Sequence, residues 1–300
     1  MRFSVKGLFL CLFICVGSGF TQNGNTSEIE ERINEFHNLM SGNLRKYLQP
    51  FVNAFGANLN SGLYHTAKIP KKGLHFYVGV ETMIALIGND QRAYTASLLD
   101  ENGMPVEETG VPTVFGSKGN RNISIAPGLS YELPGGFDIR AFPVVAPRIT
   151  LGSLAGTEVS IRWVDVDLGA DFGLLKINGF GLRHSLSQYF PLSPLDICFG
   201  FFVQDFKLGR IFKANVGYFG GQVSKSLGPL TVYGGLGIEK STFTLGNNEG
   251  VLLVSPITFD SANRTRLNAG ITLSMLILKF HIDYTLGFQN TLVAGIGIGL

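Results

Sequence analysis

Lys279, His281 and Asp283 stand two residues apart, so in an extended chain they project from one face. An imidazole between an ammonium and a carboxylate could hold a metal ion or pass a proton. The expected reading is a network of ion pairs on the inner wall of the protein. The run Gly234–Ser241 has the outline of a phosphate loop, but Glu239 occupies the position where glycine must precede the lysine, and the run alternates like a strand. Gly295, Gly297 and Gly299 share one strand face and lack the spacing of a dinucleotide fingerprint. His184 and Ser185 are adjacent, so within a strand they point to opposite faces and cannot form a base and nucleophile. His37, His65 and His75 have no ligand spacing. No cofactor, metal site or enzymatic activity is expected from these residues. An enzyme acting on lipid would need a serine, a histidine and an acid gathered at one place in the wall.

The elements that would carry such residues are strands. In the stretch 264–300, Leu267, Ala269, Ile271, Leu273 and Met275 oppose Arg264, Arg266, Asn268 and Thr272. Leu278, Phe280, Ile282, Tyr284 and Leu286 then oppose Lys279, His281, Asp283 and Thr285. Finally Leu292, Ala294, Ile296 and Ile298 oppose Val293, Gly295, Gly297 and Gly299. Period-two patterning of this kind places large apolar side chains on one side and charge or glycine on the other. A transmembrane β-barrel needs that division, apolar toward lipid and polar toward the lumen. The residues expected to face the lumen are Glu81, Glu158, Arg162, Glu239, Arg264, Arg266, Lys279, His281 and Asp283.

Strand patterning is read from Phe55–Tyr64 onward, then at 74–84, 145–151, 158–163, 172–186, 195–204, 212–218 and 230–239. It is interrupted at 89–126, which reads as a long loop or a small inserted element, and is weak near Leu129–Phe142. The fold expected is an all-β antiparallel barrel of about twelve strands, with ten and fourteen as alternatives. Counting strands forward puts residues 89–126 on the periplasmic side, where turns are usually short, a conflict pointing to one misread strand in the first half.

Composition agrees. Charged residues are 15% of the 300-residue chain, against about 25% in ordinary soluble domains, and glycine accounts for 39 residues. A net charge of +2 without a basic cluster argues against nucleic acid as a partner. Residues 1–21 read as a cleaved signal peptide: Arg2 and Lys6 precede the apolar run Leu8–Val16 and the small residues Gly17–Gly19. Cys198 is then the one cysteine of the exported chain. Residues 22–52 read as a helical segment, with Ser27 and Glu30 as a capping box, Ile29 to Leu48 at helical spacing and Pro50 as its end. This segment would plug the barrel, form a periplasmic arm, or pack on the rim. Residues 53–300 would be the barrel.

Gly56–Lys68, Gly156–Arg162 and Gly179–Ser185 resemble segments of an uncharacterised outer-membrane barrel family of Bacteroidota-type bacteria, a domain of unknown function. That resemblance implies a place in the cell outer membrane but no activity. More distantly, the order of helix and then barrel is similar to the long-chain fatty acid transporters, as an analogy of architecture. Two functions are expected to compete. One is a plugged or gated conduit for small or hydrophobic molecules. The other is a non-transporting barrel with a structural, adhesion or secretion-accessory role. Outer-membrane lipid is the expected partner in both.

Overall fold

The computed structural model describes residues 26–167, 174–190, 192–209, 212–246 and 256–300. The signal peptide read at 1–21 lies outside the described residues. Helix α1 runs Thr26–Leu59. The strands are β1 (His75–Leu86), β2 (Ala93–Leu99), β3 (Pro105–Pro112), β4 (Arg121–Ala126), β5 (Leu129–Leu133), β6 (Ala141–Leu154), β7 (Thr157–Asp167), β8 (Leu174–Ser185), β9 (Asp196–Leu208), β10 (Phe212–Leu227), β11 (Leu230–Leu245), β12 (Ile257–Asp260), β13 (Thr265–Met275), β14 (Leu278–Gly287) and β15 (Thr291–Gly299). The chain divides into two compact units, residues 52–86 with 141–300, and residues 1–51 with 87–140.

The larger unit is a closed antiparallel barrel. Its hydrogen-bonded order is β10-β9-β8-β7-β6-β1-β15-β14-β13-β11, and pairing of β10 with β11 from Phe212↔Leu245 to Leu227↔Leu230 completes the ring. Ten strands therefore close, not the twelve expected from the sequence. The short β12 pairs with Thr242–Leu245 of β11, beyond the stretch that β13 occupies. Alternation behaves as the sequence predicts. Leu236 (64% exposed), Ile282 (45%) and Ile298 (43%) point away from the barrel. Glu239, His281, Asp283 and Gly297 face inward and are buried.

The two rims differ. At the rim where β1 begins and β15 ends, three of the four connections are two-residue turns, Ala155–Gly156, Gly228–Pro229 and Leu276–Ile277, and the fourth, Leu186–Leu195, is longer. Ala155 and Gly156 both have positive φ (50° and 73°), which suits the right-handed twist of the strands they join. The opposite rim carries the longest connections, residues 87–140 and 246–264, beside short ones at 209–211 and 288–290.

Two readings of the first half are corrected. Pro50 does not end the helix, and residues 53–74 contribute no wall strand; the wall begins at His75. Every residue from Val52 to His65 is buried, the last turns of α1 included. A helix surrounded on all sides has no polar face, so Phe55, Ala57 and Leu59 imitated strand alternation. Helical backbone suits this place because it satisfies its own amides where water is scarce. Removing that misread strand also resolves the conflict over residues 89–126, which leave the barrel at the rim of the long connections.

The smaller unit is built on two hairpins. β2 pairs with β3 and β4 with β5, so residues 89–126 hold an inserted element rather than a bare loop. Ala96, Leu98, Val111, Ile123 and Leu133 form its apolar cluster. The first part of α1 belongs to it. Asn43 donates to the Ser97 carbonyl and accepts from the Ser97 amide, at 2.7 and 2.9 Å. The Lys46 amine reaches the Thr95 carbonyl at 2.9 Å. The Tyr47 hydroxyl donates to the Gly135 carbonyl at 2.9 Å, and the Val114 amide donates to the Tyr47 carbonyl.

Candidate functional site: the filled lumen

The interior of the barrel is occupied by its own chain. Residues from Val52 to Ile69 run through it, and wall side chains grip their backbone. Arg162 on β7 donates to the carbonyls of Leu59 (3.0 Å), Ser61 (3.0 Å) and Gly62 (2.9 Å). Arg183 on β8 donates to the Thr66 carbonyl at 2.7 Å, and Arg266 on β13 to the Asn60 carbonyl. Thr272 donates to the His65 carbonyl at 2.6 Å, and Gln204 to that of Leu59. These carbonyls lie where α1 ends and the chain turns, so the helix supplies no donors for them. The wall arginines supply charged donors instead, which make the stronger kind of hydrogen bond.

Three of the four wall arginines are balanced by carboxylates. Arg148 on β6 donates to Glu81 Oε1 through Nε (3.1 Å) and Nη2 (2.8 Å), and it lies 4.4 Å over the Tyr77 ring. Arg183 pairs with Glu158, whose other oxygen stands 3.3 Å from His75 Nε2. Arg266 pairs with Glu239 at 3.0 Å. Arg162 has a neutral companion, Gln204 Oε1 at 3.1 Å. His281 Nε2 stands 2.7 Å from Glu81 Oε2, close enough for an ion pair but outside hydrogen-bond alignment. Asp283 accepts from the Tyr233 hydroxyl at 2.9 Å. A charge buried this way is tolerable only with partners of this quality.

Of the residues expected in the lumen, Glu81, Glu158, Arg162, Glu239, Arg266, His281 and Asp283 are buried inside the barrel. Two are corrected. Arg264 precedes β13, is exposed, and donates to the carbonyls of Ser261 and Asn263 at the rim. Lys279, near the start of β14, is half-buried and stands outside the network of its neighbours His281 and Asp283. Sequence reading missed Arg148 and Arg183 as members of this set. Their strand parity with Thr150 and with Ser185 was the signal that could have found them. Tyr218 is also buried inside.

The glycine excess has its cause here. A side chain at Gly79 would strike the Tyr77 hydroxyl, and one at Gly220 the Tyr218 hydroxyl. One at Gly235 would meet the Tyr64 hydroxyl, and one at Gly295 the contact of Glu81 with His281. The bare positions let large inward rings lie along the wall. Two cavities border the inner segment, one against Tyr64, Arg266 and Asp283 and one against Leu63, Arg162 and Gln204. Each holds about 10 Å³, room for one water at most. A larger furrow, about 410 Å³, lies on the outer face between Val232, Ile271, Ile282 and Leu292. Cys198 is buried beside Gln222, with its Sγ 3.1 Å from Oε1.

The family model for DUF6588, a family of unknown function, matches residues 1–300, so the chain belongs to that family. No curated protein matches it in sequence. Among solved structures, it is similar to the outer membrane protease OmpT of Escherichia coli, at 7% identity and a TM-score of 0.34, covering 78% of this chain and 98% of that one. The outer membrane protein OmpT of Vibrio cholerae gives 8% and 0.28, with 76% and 99% covered. The beta domain of the Bordetella autotransporter BrkA gives 11% and 0.32, with 76% and 100% covered.

Proposed function

We propose that this DUF6588 member is a barrel of the bacterial outer membrane that is sealed by its own chain and serves as a membrane-embedded anchor rather than a conduit. The observation that carries this reading is the grip of Arg162, Arg183 and Arg266 on the backbone carbonyls of Leu59, Asn60, Ser61, Gly62 and Thr66. The membrane setting is supported by the barrel itself. A ring without a free edge, apolar outward and charged inward, suits hydrocarbon on one side only. Ten strands enclose more room than an eight-stranded barrel, whose side chains fill it, and far less than the sixteen to eighteen strands of an aqueous porin. Here the extra room holds one chain segment.

Passage of small or hydrophobic molecules would require that segment to leave, stripping buried arginines of their acceptors. An apolar molecule finds its recess on the outer face, in the furrow beside Ile271 and Ile282, where an acyl chain of the surrounding lipid would lie. The test has two parts. The protein should fractionate with the outer membrane, and after reconstitution into planar bilayers it should leave their conductance at baseline. Steady, stepwise conductance from the unaltered protein would overturn the sealed reading; recovery as a soluble protein would overturn the membrane reading.

A further inference from the structure

The segment inside the barrel has a direction. Near Val52 it is tied to the rim of the long connections. Asn53 accepts from the Ala262 amide at 2.9 Å through Oδ1, and its carbonyl accepts from the Asn263 side chain at 2.9 Å. Phe55 packs edge-on against Phe142 and Phe206, and Asn58 donates to the Phe142 carbonyl at the start of β6. Near Ile69 it is tied to the rim of the tight turns. The Ala67 amide donates to Ser224 Oγ at 3.0 Å, and the Ser153 amide to the Gly73 carbonyl at 3.2 Å. The chain thus enters at the long-connection rim, crosses the lumen, and starts β1 from the tight-turn rim.

In outer-membrane barrels short turns face the periplasm and long loops face outward. From this polarity, and resting on the outer-membrane reading above, we infer that residues 26–51 have crossed the membrane through the chain's own barrel and, like residues 87–140, are displayed on the cell surface. A second observation agrees. The first part of α1 is bonded to the hairpin insert through Asn43, Lys46 and Tyr47. The insert leaves and rejoins the wall at Leu86 and Ala141, at the long-connection rim. On the outer-membrane reading the chain reaches the barrel from the periplasm, so residues 26–51 travel outward as the barrel closes. A helix can occupy that path because its backbone is internally bonded. The function that follows is presentation of a small surface unit, continuous in sequence with the chain inside the barrel.

The experiment uses the full chain with Cys198→Ala and one new cysteine at a time: Arg45→Cys or Asn102→Cys above, Lys72→Cys or Leu276→Cys below. Cells producing each variant are treated with a membrane-impermeant maleimide, intact or permeabilised. The expected result is labelling of the first two in intact cells at the level reached after permeabilisation. The last two should be labelled only after permeabilisation. Labelling of Asn102→Cys but not Arg45→Cys in intact cells would overturn the threading. The reverse pattern, with Lys72→Cys and Leu276→Cys labelled outside, would overturn the orientation. Absence of the protein from outer-membrane fractions would instead remove the membrane reading on which this rests.

Discussion

Arg162 is the residue on which the filled lumen depends most, because it joins three backbone carbonyls of the inner segment and, among the described residues, pairs with no carboxylate. Arg162→Leu removes those donors and leaves buried carbonyls unpaired. The expected cost is about 1–3 kcal/mol for each buried carbonyl left unpaired, offset in part because no buried charge is orphaned. It should show as an earlier unfolding transition of the heat-modifiable barrel on gels. Arg162→Lys, with one charged head in place of a fork, should recover only part of it. In the smaller unit, pH acts at both ends. Burial pushes the Tyr47 phenol up to about 12. Its folded value exceeds the usual 10, so its contribution is intact below about pH 10 and is lost as pH rises toward 12. Tyr47→Phe should flatten this alkaline arm while costing about 0.5–1.5 kcal/mol near neutrality for the lost bond to Gly135. Asp138 runs the other way, since hydrogen bonding to Arg92 holds its carboxyl below the ordinary value. That contribution is present above the usual carboxylate value and is lost as pH falls through the lowered folded one; Asp138→Asn should slightly flatten the acid arm of the unfolding profile.

At the scale of elements, the wall was legible and its filling was not. Strands such as Leu278–Gly287 announce themselves because one face must be apolar and the other polar, and that rule has period two. The segment Val52–His65 is buried all round, so no face distinguishes it, and the sequence offered an alternation that belongs to no strand. Pro50 misled for a related reason. A proline removes one backbone donor, yet α1 continues because its next turns are enclosed and bonded internally. The partners of Arg162 and Arg183 are backbone atoms, and backbone leaves no mark in residue types. The insert, polar and rich in turn residues, was recognisable as something other than wall, though its two hairpins were not. Since it contributes no strand to the ring, replacing Asn89–Asp138 by a short Gly/Ser turn should leave a heat-modifiable barrel with unchanged strand signal in circular dichroism. The newly bared Leu44 and Tyr47 should lower solubility instead. Loss of the folded barrel would mean that the insert is required to close β1 against β6.

The barrel joins an apolar outer face to an interior crossed by buried hydrogen bonds and ion pairs, and these bear on what it could pass. Four wall arginines, Arg148, Arg162, Arg183 and Arg266, face the inner segment from β6, β7, β8 and β13, and their countercharges sit on β1, β7 and β11. If the inner chain alone seals the lumen, weakening that chain should open it while the ring, whose hydrogen bonds are between strands, survives. Replacing Asn60–Thr66 with glycine and serine at equal length removes Leu63, Tyr64 and His65 but keeps the link from α1 to β1. The uncovered wall groups would then recruit water. In planar bilayers this variant should give small ionic currents that fall away for larger solutes, because ten strands leave a narrower bore than porins. The unaltered protein should remain silent under the same voltage. Equal silence from both, with the variant shown to be folded, would mean that wall side chains close the bore without the segment. Equal current from both would mean that the inner chain leaves readily, and the conduit reading would replace the anchor.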